Sequence, residues 1–104
     1  MKPIHKKRKM NGTERRYADQ MELMKRSGNI LDWRFEGLRF KLAHGAWYKP
    51  DFLIVMRGQF EIHEVKGQWR EAARVRIKVA AELYPWFRFV AVRWEKKQWV
   101  YEDF

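Results

Sequence analysis

Asp51 is followed thirteen residues later by Glu64, with Lys66 two positions further on. Two carboxylates beside an ammonium group can hold a hard divalent cation and handle a phosphate. The three must meet at one spot for that chemistry, so the segment between them decides whether they can. Arg57-Gly58 is a tight-turn candidate between two apolar stretches, from Tyr48 to Met56 and from Phe60 to Lys66. A two-residue turn there makes the indices of facing residues sum to 115 and sets Asp51 opposite Glu64 and Lys49 opposite Lys66. Facing residues share a side of the hairpin, about 5 Å apart at Cβ. A turn of odd length would send Asp51 to the opposite side from Glu64. Leu53, Val55, Phe60 and Ile62 share the side of Glu64 and Lys66, an apolar floor with a charged rim. Phe52, Ile54, Glu61, His63 and Val65 take the other side, which the second helix should cover.

Oxygen donors of this kind suit Mg²⁺, with Mn²⁺ able to substitute. Asp51 and Glu64 are the expected ligands, with the backbone carbonyl of Val65 as a further one. Lys66 can position an attacking water or stabilise the negative charge that develops on a phosphate. Taken alone, Glu64-Val65-Lys66 is weak, because a carboxylate and a lysine two apart on a strand are commonly just a surface ion pair. Asp51 at its distance, the turn between, and an acid upstream sharpen it.

That acid is Glu14. Thr13 reads as the N-cap of a first helix that ends before Gly28, with Tyr17, Ala18, Met21 and Met24 on its apolar side. At about 100° per residue, Glu14 and Met21 lie within roughly 20° of each other. Glu14 therefore heads the buried stripe, and the helix is expected to lie over the floor as a lid. There Glu14 either binds a second metal or hydrogen-bonds a water on the first, or it is simply an acid stabilised by the helix dipole.

The remaining elements form the frame. Ile30 to Leu42 alternates as a strand whose phase shifts at Glu36-Gly37, the mark of a bulge or bend. His44-Gly45 reads as a turn. A second helix spans Trp69 to Tyr84, with Ala72, Val75, Val79 and Leu83 on one side and Pro85 as its stop. Phe87 to Trp94 is a strand apolar on both faces, and Trp99 to Tyr101 a short last one. The order α-β-β-β-α-β-(β), with a parallel pair around the second helix, gives a mixed α/β domain: one central mixed sheet with a helix on each face.

With 104 residues, a single domain is expected. It spans 13–104 behind a basic, flexible arm at 1–12. The formal net charge is +10 and the pI near 10.2. Half of that charge sits on Lys2, Lys6, Lys7, Arg8 and Lys9. Such a balance names nucleic acid as the leading partner, with an anionic membrane surface behind it. No apolar run approaches the roughly 20 residues of a membrane span, and no apolar signal core follows the basic start. With no cysteine, disulfides and thiolate metal sites are excluded. A soluble, cytoplasmic protein is expected. Lys6, Lys7, Arg8 and Lys9 are candidate phosphate contacts, as are Lys49 beside the proposed site and Arg70, Arg74 and Lys78 along the second helix. His5, His44 and His63 show no metal-ligand spacing. Trp86, Trp94 and Trp99 suit a subunit interface, base stacking or the core.

The runs Tyr48-Lys49-Pro50-Asp51-Phe52 and Glu64-Val65-Lys66-Gly67 resemble the PD-(D/E)XK nuclease superfamily. With Glu14 upstream, the stretch from Thr13 to about Trp94 is most similar to compact Holliday junction resolvases of archaeal type and to related phage endonucleases. The resemblance implies a restriction-endonuclease-like core and a Mg²⁺ site built from Glu14, Asp51, Glu64 and Lys66. It also implies a homodimer cutting four-way DNA junctions without any small-molecule cofactor. If the protein is phage-encoded, it would act in the host cytoplasm. Such resolvases often carry a serine near the first strands. The single serine here is Ser27, at the end of the first helix, and no such role passes to it. A general or nicking endonuclease of phage type, and a non-catalytic basic DNA-binding module, are the alternatives.

Overall fold

The computed structural model describes residues 8–104. Helix α1 runs Gly12–Arg26 and starts from Asn11, not from Thr13. The Asn11 side chain accepts from the Glu14 N–H at 2.8 Å, and the Glu14 carboxylate accepts from the Asn11 N–H at 3.0 Å. This reciprocal capping box satisfies two amide groups that the helix cannot. It recruits Glu14 as the third helical residue, which is why the cap lies two residues earlier than expected. Tyr17, Ala18 and Met21 form the buried stripe.

The long strand expected over Ile30–Leu42 is two elements. Strand β1 (Asp32–Phe35) ends where Glu36 turns into the left-handed region at φ 51°. Strand β2 (Phe40–Ala43) then leaves the main sheet and pairs with β3 (Ala46–Tyr48) across the His44-Gly45 turn, where Gly45 has φ 75°. The strand expected over Tyr48–Met56 is likewise divided. Pro50 has no N–H for a ladder, and β4 begins only at Phe52 and runs to Met56. Strand β5 is Gln59–Lys66, α2 is Glu71–Leu83, β6 is Phe87–Glu95 and β7 is Gln98–Asp103. The order is thus α-β-β-β-β-β-α-β-β, with more strands than expected because backbone breaks cut two of them.

Five strands form one mixed sheet in the order β1-β4-β5-β6-β7, and β2-β3 forms a separate two-stranded sheet. Neighbours in the large sheet are antiparallel except β5 and β6, the parallel pair joined through α2. Met56 pairs with Gln59 and Phe52 with His63, so the Arg57-Gly58 turn has two residues and the index sum is 115. Gly58 supplies its φ of 77° without a Cβ penalty.

The helices cover the opposite faces from those expected. Tyr17, Ala18 and Met21 of α1 pack on Phe52, Ile54, Val65, Val90 and Val92. Ile77 and Ala80 of α2, with Phe40 and Tyr48 of the small sheet, pack on Ile62 and Phe89. Alternation says which residues share a face but not which helix lies over it. The hand of the β5–α2–β6 crossover fixes the side α2 must take, and α1 is left the other. Within α2 the side that carries Ala72, Val75, Val79 and Leu83 is not the buried one. Val75, Val79 and Leu83 are exposed, while Ile77 and Ala80 are buried. The helix carries two apolar stripes at helical spacing, and periodicity cannot choose between them. Among the described residues, no helix is long and apolar enough to cross a membrane.

Candidate functional site

Asp51 sits in the bend between Pro50 and β4, at the end of the sheet, and is 2 % exposed. Its Oδ2 accepts from the Val65 N–H at 2.8 Å, which ties it to β5 beside Glu64. Asp51 is thus met by the Val65 N–H, not by the carbonyl expected as a metal ligand. Burial, then hydrogen bonding and repulsion from the Glu64 carboxylate, push the Asp51 carboxyl well above the usual carboxylate range. Glu64 is itself buried, and the Lys66 ammonium lies 4.0 Å from its Oε1.

Although α1 covers the other face, Glu14 still reaches this place, because it lies in the helix's first turn. Arg8 bridges it to Asp51. The Arg8 guanidinium donates to Glu14 Oε1 at 2.8 Å and to Oε2 at 2.5 Å, and the same Nη2 donates to Asp51 Oδ1 at 3.1 Å. Burial works to raise the Glu14 carboxyl, but Arg8 and the Asn11 N–H outweigh it, and the group ends below its ordinary value. Arg8 in turn is held more firmly protonated, first by its hydrogen bond to Glu14. The guanidinium also lies over the Phe35 ring, 5.1 Å from its centroid.

Two members of the cluster were not singled out by sequence. Glu36 is 2 % exposed, and its Oε2 accepts from Arg8 Nε at 3.0 Å and lies 3.7 Å from Lys49 Nζ. Its backbone N–H donates to the Asp51 carbonyl at 2.7 Å, so the two acids are braced together. Its Oε1 is buried with no hydrogen-bond partner. The sequence signal was present in the phase break at Glu36-Gly37, which marked a bend but not a buried carboxylate. Tyr48, three residues before Asp51, has a buried hydroxyl without a partner. Burial and the neighbouring Glu64 raise its pKa.

The cluster thus holds Glu14, Glu36, Asp51 and Glu64, with Arg8, Lys49 and Lys66 around them. Lys49 does not face Lys66 as expected, because the strand breaks at Pro50. Among the described residues, no three carboxylate or imidazole groups are arranged as ligands of one metal ion. Arg8 stands between Glu14, Glu36 and Asp51. The available donors are carboxylate oxygens, the kind a hard cation takes, and Glu36 Oε1 lacks a partner.

The other candidate cations are dispersed. Lys6 and Lys7 lie outside the described residues. Lys9, Arg70 and Lys78 are exposed. Arg74 is committed to Glu102 through two hydrogen bonds of 2.8 and 2.6 Å. Trp86 is exposed, while Trp94 and Trp99 pack edge to face, with Arg16 over Trp94. A separate cavity of about 370 Å³ lies between α1 and the sheet. At its polar end Tyr17 meets His63 Nδ1 at 2.5 Å and His63 Nε2 meets Glu61 at 2.9 Å. Glu61 also accepts from Arg88 at 3.1 Å. These groups satisfy one another. No family model matches the chain, and no curated protein or solved structure matches it.

Proposed function

We propose that this chain is a Mg²⁺-dependent endodeoxyribonuclease of the PD-(D/E)XK kind, selective for DNA structure and cutting four-way junctions as a homodimer. The observation that carries the reading is the gathering of Glu14, Asp51 and Glu64 at one end of the sheet, with Lys66 beside Glu64. A fold that buries several carboxylates in contact gives up stability, and perturbed groups clustered at one place are a mark of function. The net charge of +10 suits a DNA partner.

Asp51 and Glu64 would hold Mg²⁺ or Mn²⁺, with the Val65 carbonyl and Glu14 as further donors. The ion, when bound, supplies charge neutralisation at the phosphate and acidifies water. Lys66 is half exposed, so its ammonium can reach a bound phosphate. There it orients the attacking water or stabilises the charge that builds up as the phosphorus–oxygen bond to the leaving sugar breaks. Lys49 holds the neighbouring phosphate, and the basic arm adds contacts that carry no sequence information.

The test is cleavage of a synthetic four-way junction and of a linear duplex of the same sequence, with Mg²⁺ and with EDTA. Preferential junction cleavage that EDTA and Glu64→Gln abolish supports the reading. Equal cutting of both substrates points to a general or nicking nuclease. Cleavage that survives EDTA overturns the mechanism.

A second reading is a non-catalytic basic DNA-binding module. The pairing of Arg8 with three of the carboxylates favours it, since the acids then have a structural partner. It predicts salt-sensitive binding with no divalent-dependent product.

A further inference from the structure

We propose that Glu36 belongs to the cation-binding set of this site, and that Arg8 is an exchangeable internal cation that a divalent ion must displace. This rests on the metal-dependent reading above and adds two residues to it.

Glu36 is expensive to keep where it is. A non-glycine residue at φ 51° is strained. Its carboxylate is 2 % exposed, and one oxygen has no hydrogen-bond partner. A carboxylate serving only as a salt-bridge partner to Arg8 and Lys49 gains nothing from a buried, unpaired Oε1, because both cations are half exposed and could be met at the surface. An unpartnered oxygen on a carboxylate that shares Arg8 with Asp51 is what a coordination position requires. The 2.7 Å bond from the Glu36 N–H to the Asp51 carbonyl fixes the spacing of the two acids through the backbone.

Arg8 supplies the other half. Its guanidinium touches Glu14, Glu36 and Asp51 at once. It thereby neutralises a cluster that would otherwise repel itself in a poorly solvated place. A guanidinium and a divalent ion cannot share those oxygens, so the two compete. Arg8 lies four residues before α1 and its side chain is 44 % exposed, so it can leave without disturbing the core.

The experiment uses Mn²⁺ without DNA, with the free ion followed by electron paramagnetic resonance and the fold checked by thermal melting. The expected order of affinity is Arg8→Ala above wild type above Glu36→Gln, with about tenfold between neighbours. Wild-type protein supplies a second measurement that needs no folded variant. Adding Mg²⁺ should move the ¹⁵N resonance of Arg8 Nε to a solvated position as its bond to Glu36 breaks. Equal Mn²⁺ affinity in the three proteins, with an unmoved Arg8 resonance, overturns the inference. If Glu64→Gln abolishes Mn²⁺ binding while Glu36→Gln leaves it intact, the inference fails and the nuclease reading stands. If neither wild type nor Arg8→Ala binds Mn²⁺, both fail.

Discussion

Glu36→Gly should make this protein more stable. Glycine at φ 51° removes the left-handed strain, worth about 1–2 kcal/mol. Removing the carboxylate also removes a buried acceptor with no partner, worth about 1–3 kcal/mol. Against this stand the contacts to Arg8 and Lys49. Both cationic side chains are 44 % exposed, so water screens them and each contributes at most about 1 kcal/mol. The freer unfolded chain of a glycine costs roughly 0.5–1 kcal/mol more. The N–H that binds the Asp51 carbonyl is kept. The balance is a gain of about 1 kcal/mol, or a rise in Tm of roughly 4–8 °C for a domain of this size. Chemical denaturation and calorimetry of the two proteins decide it. A loss of 1 kcal/mol or more would refute the reasoning, because it would make Glu36 a structural ion-pair partner and not a residue kept at the expense of stability.

Three further outcomes are expected. Lys66→Ala should bind DNA with nearly the affinity of wild type in a gel-shift assay yet release no product over the same Mg²⁺ range, since the ammonium is needed only as charge develops. Tyr17→Phe should cost about 1–3 kcal/mol in urea denaturation, because it strips a buried His63 nitrogen of its partner without opening a cavity. Glu61 is held below its ordinary carboxylate pKa by its hydrogen bond to His63 and then by Arg88. A depressed carboxyl contributes stability that is present above its unfolded pKa and lost as pH falls through the folded one. Stability of the wild type should therefore decline on the acid side, and Glu61→Gln should flatten that decline when both are followed by denaturation at stepped pH.

Much of the site was legible as a pattern. The two-residue turn at Arg57-Gly58 is a local fact of the chain, and the register from Phe52 to His63 agrees with it, while Asp51 lies in the bend before that ladder begins. The breaks at Glu36 and at Pro50 were half legible. A phase shift and a proline announce an interruption, but whether a strand bends or leaves the sheet depends on what it can pair with. Glu36 and Tyr48 were missed because nothing in the sequence says that a polar side chain next to a break is buried.

The mixed α/β class, the parallel pair around the second helix and the alternation that sorts residues to two faces can all be read from the chain alone. These follow from periods of 2.0 and 3.6 residues and from turn chemistry, all of which are local. Which helix covers which face, which stripe of α2 is buried, and the place of Arg8 among Glu14, Glu36 and Asp51 emerge only once the chain is folded. Those depend on the hand of a crossover and on charges brought together from residues 8, 14, 36 and 51. A carboxylate's environment is a property of the space around it, and that space is not written in its sequence neighbours.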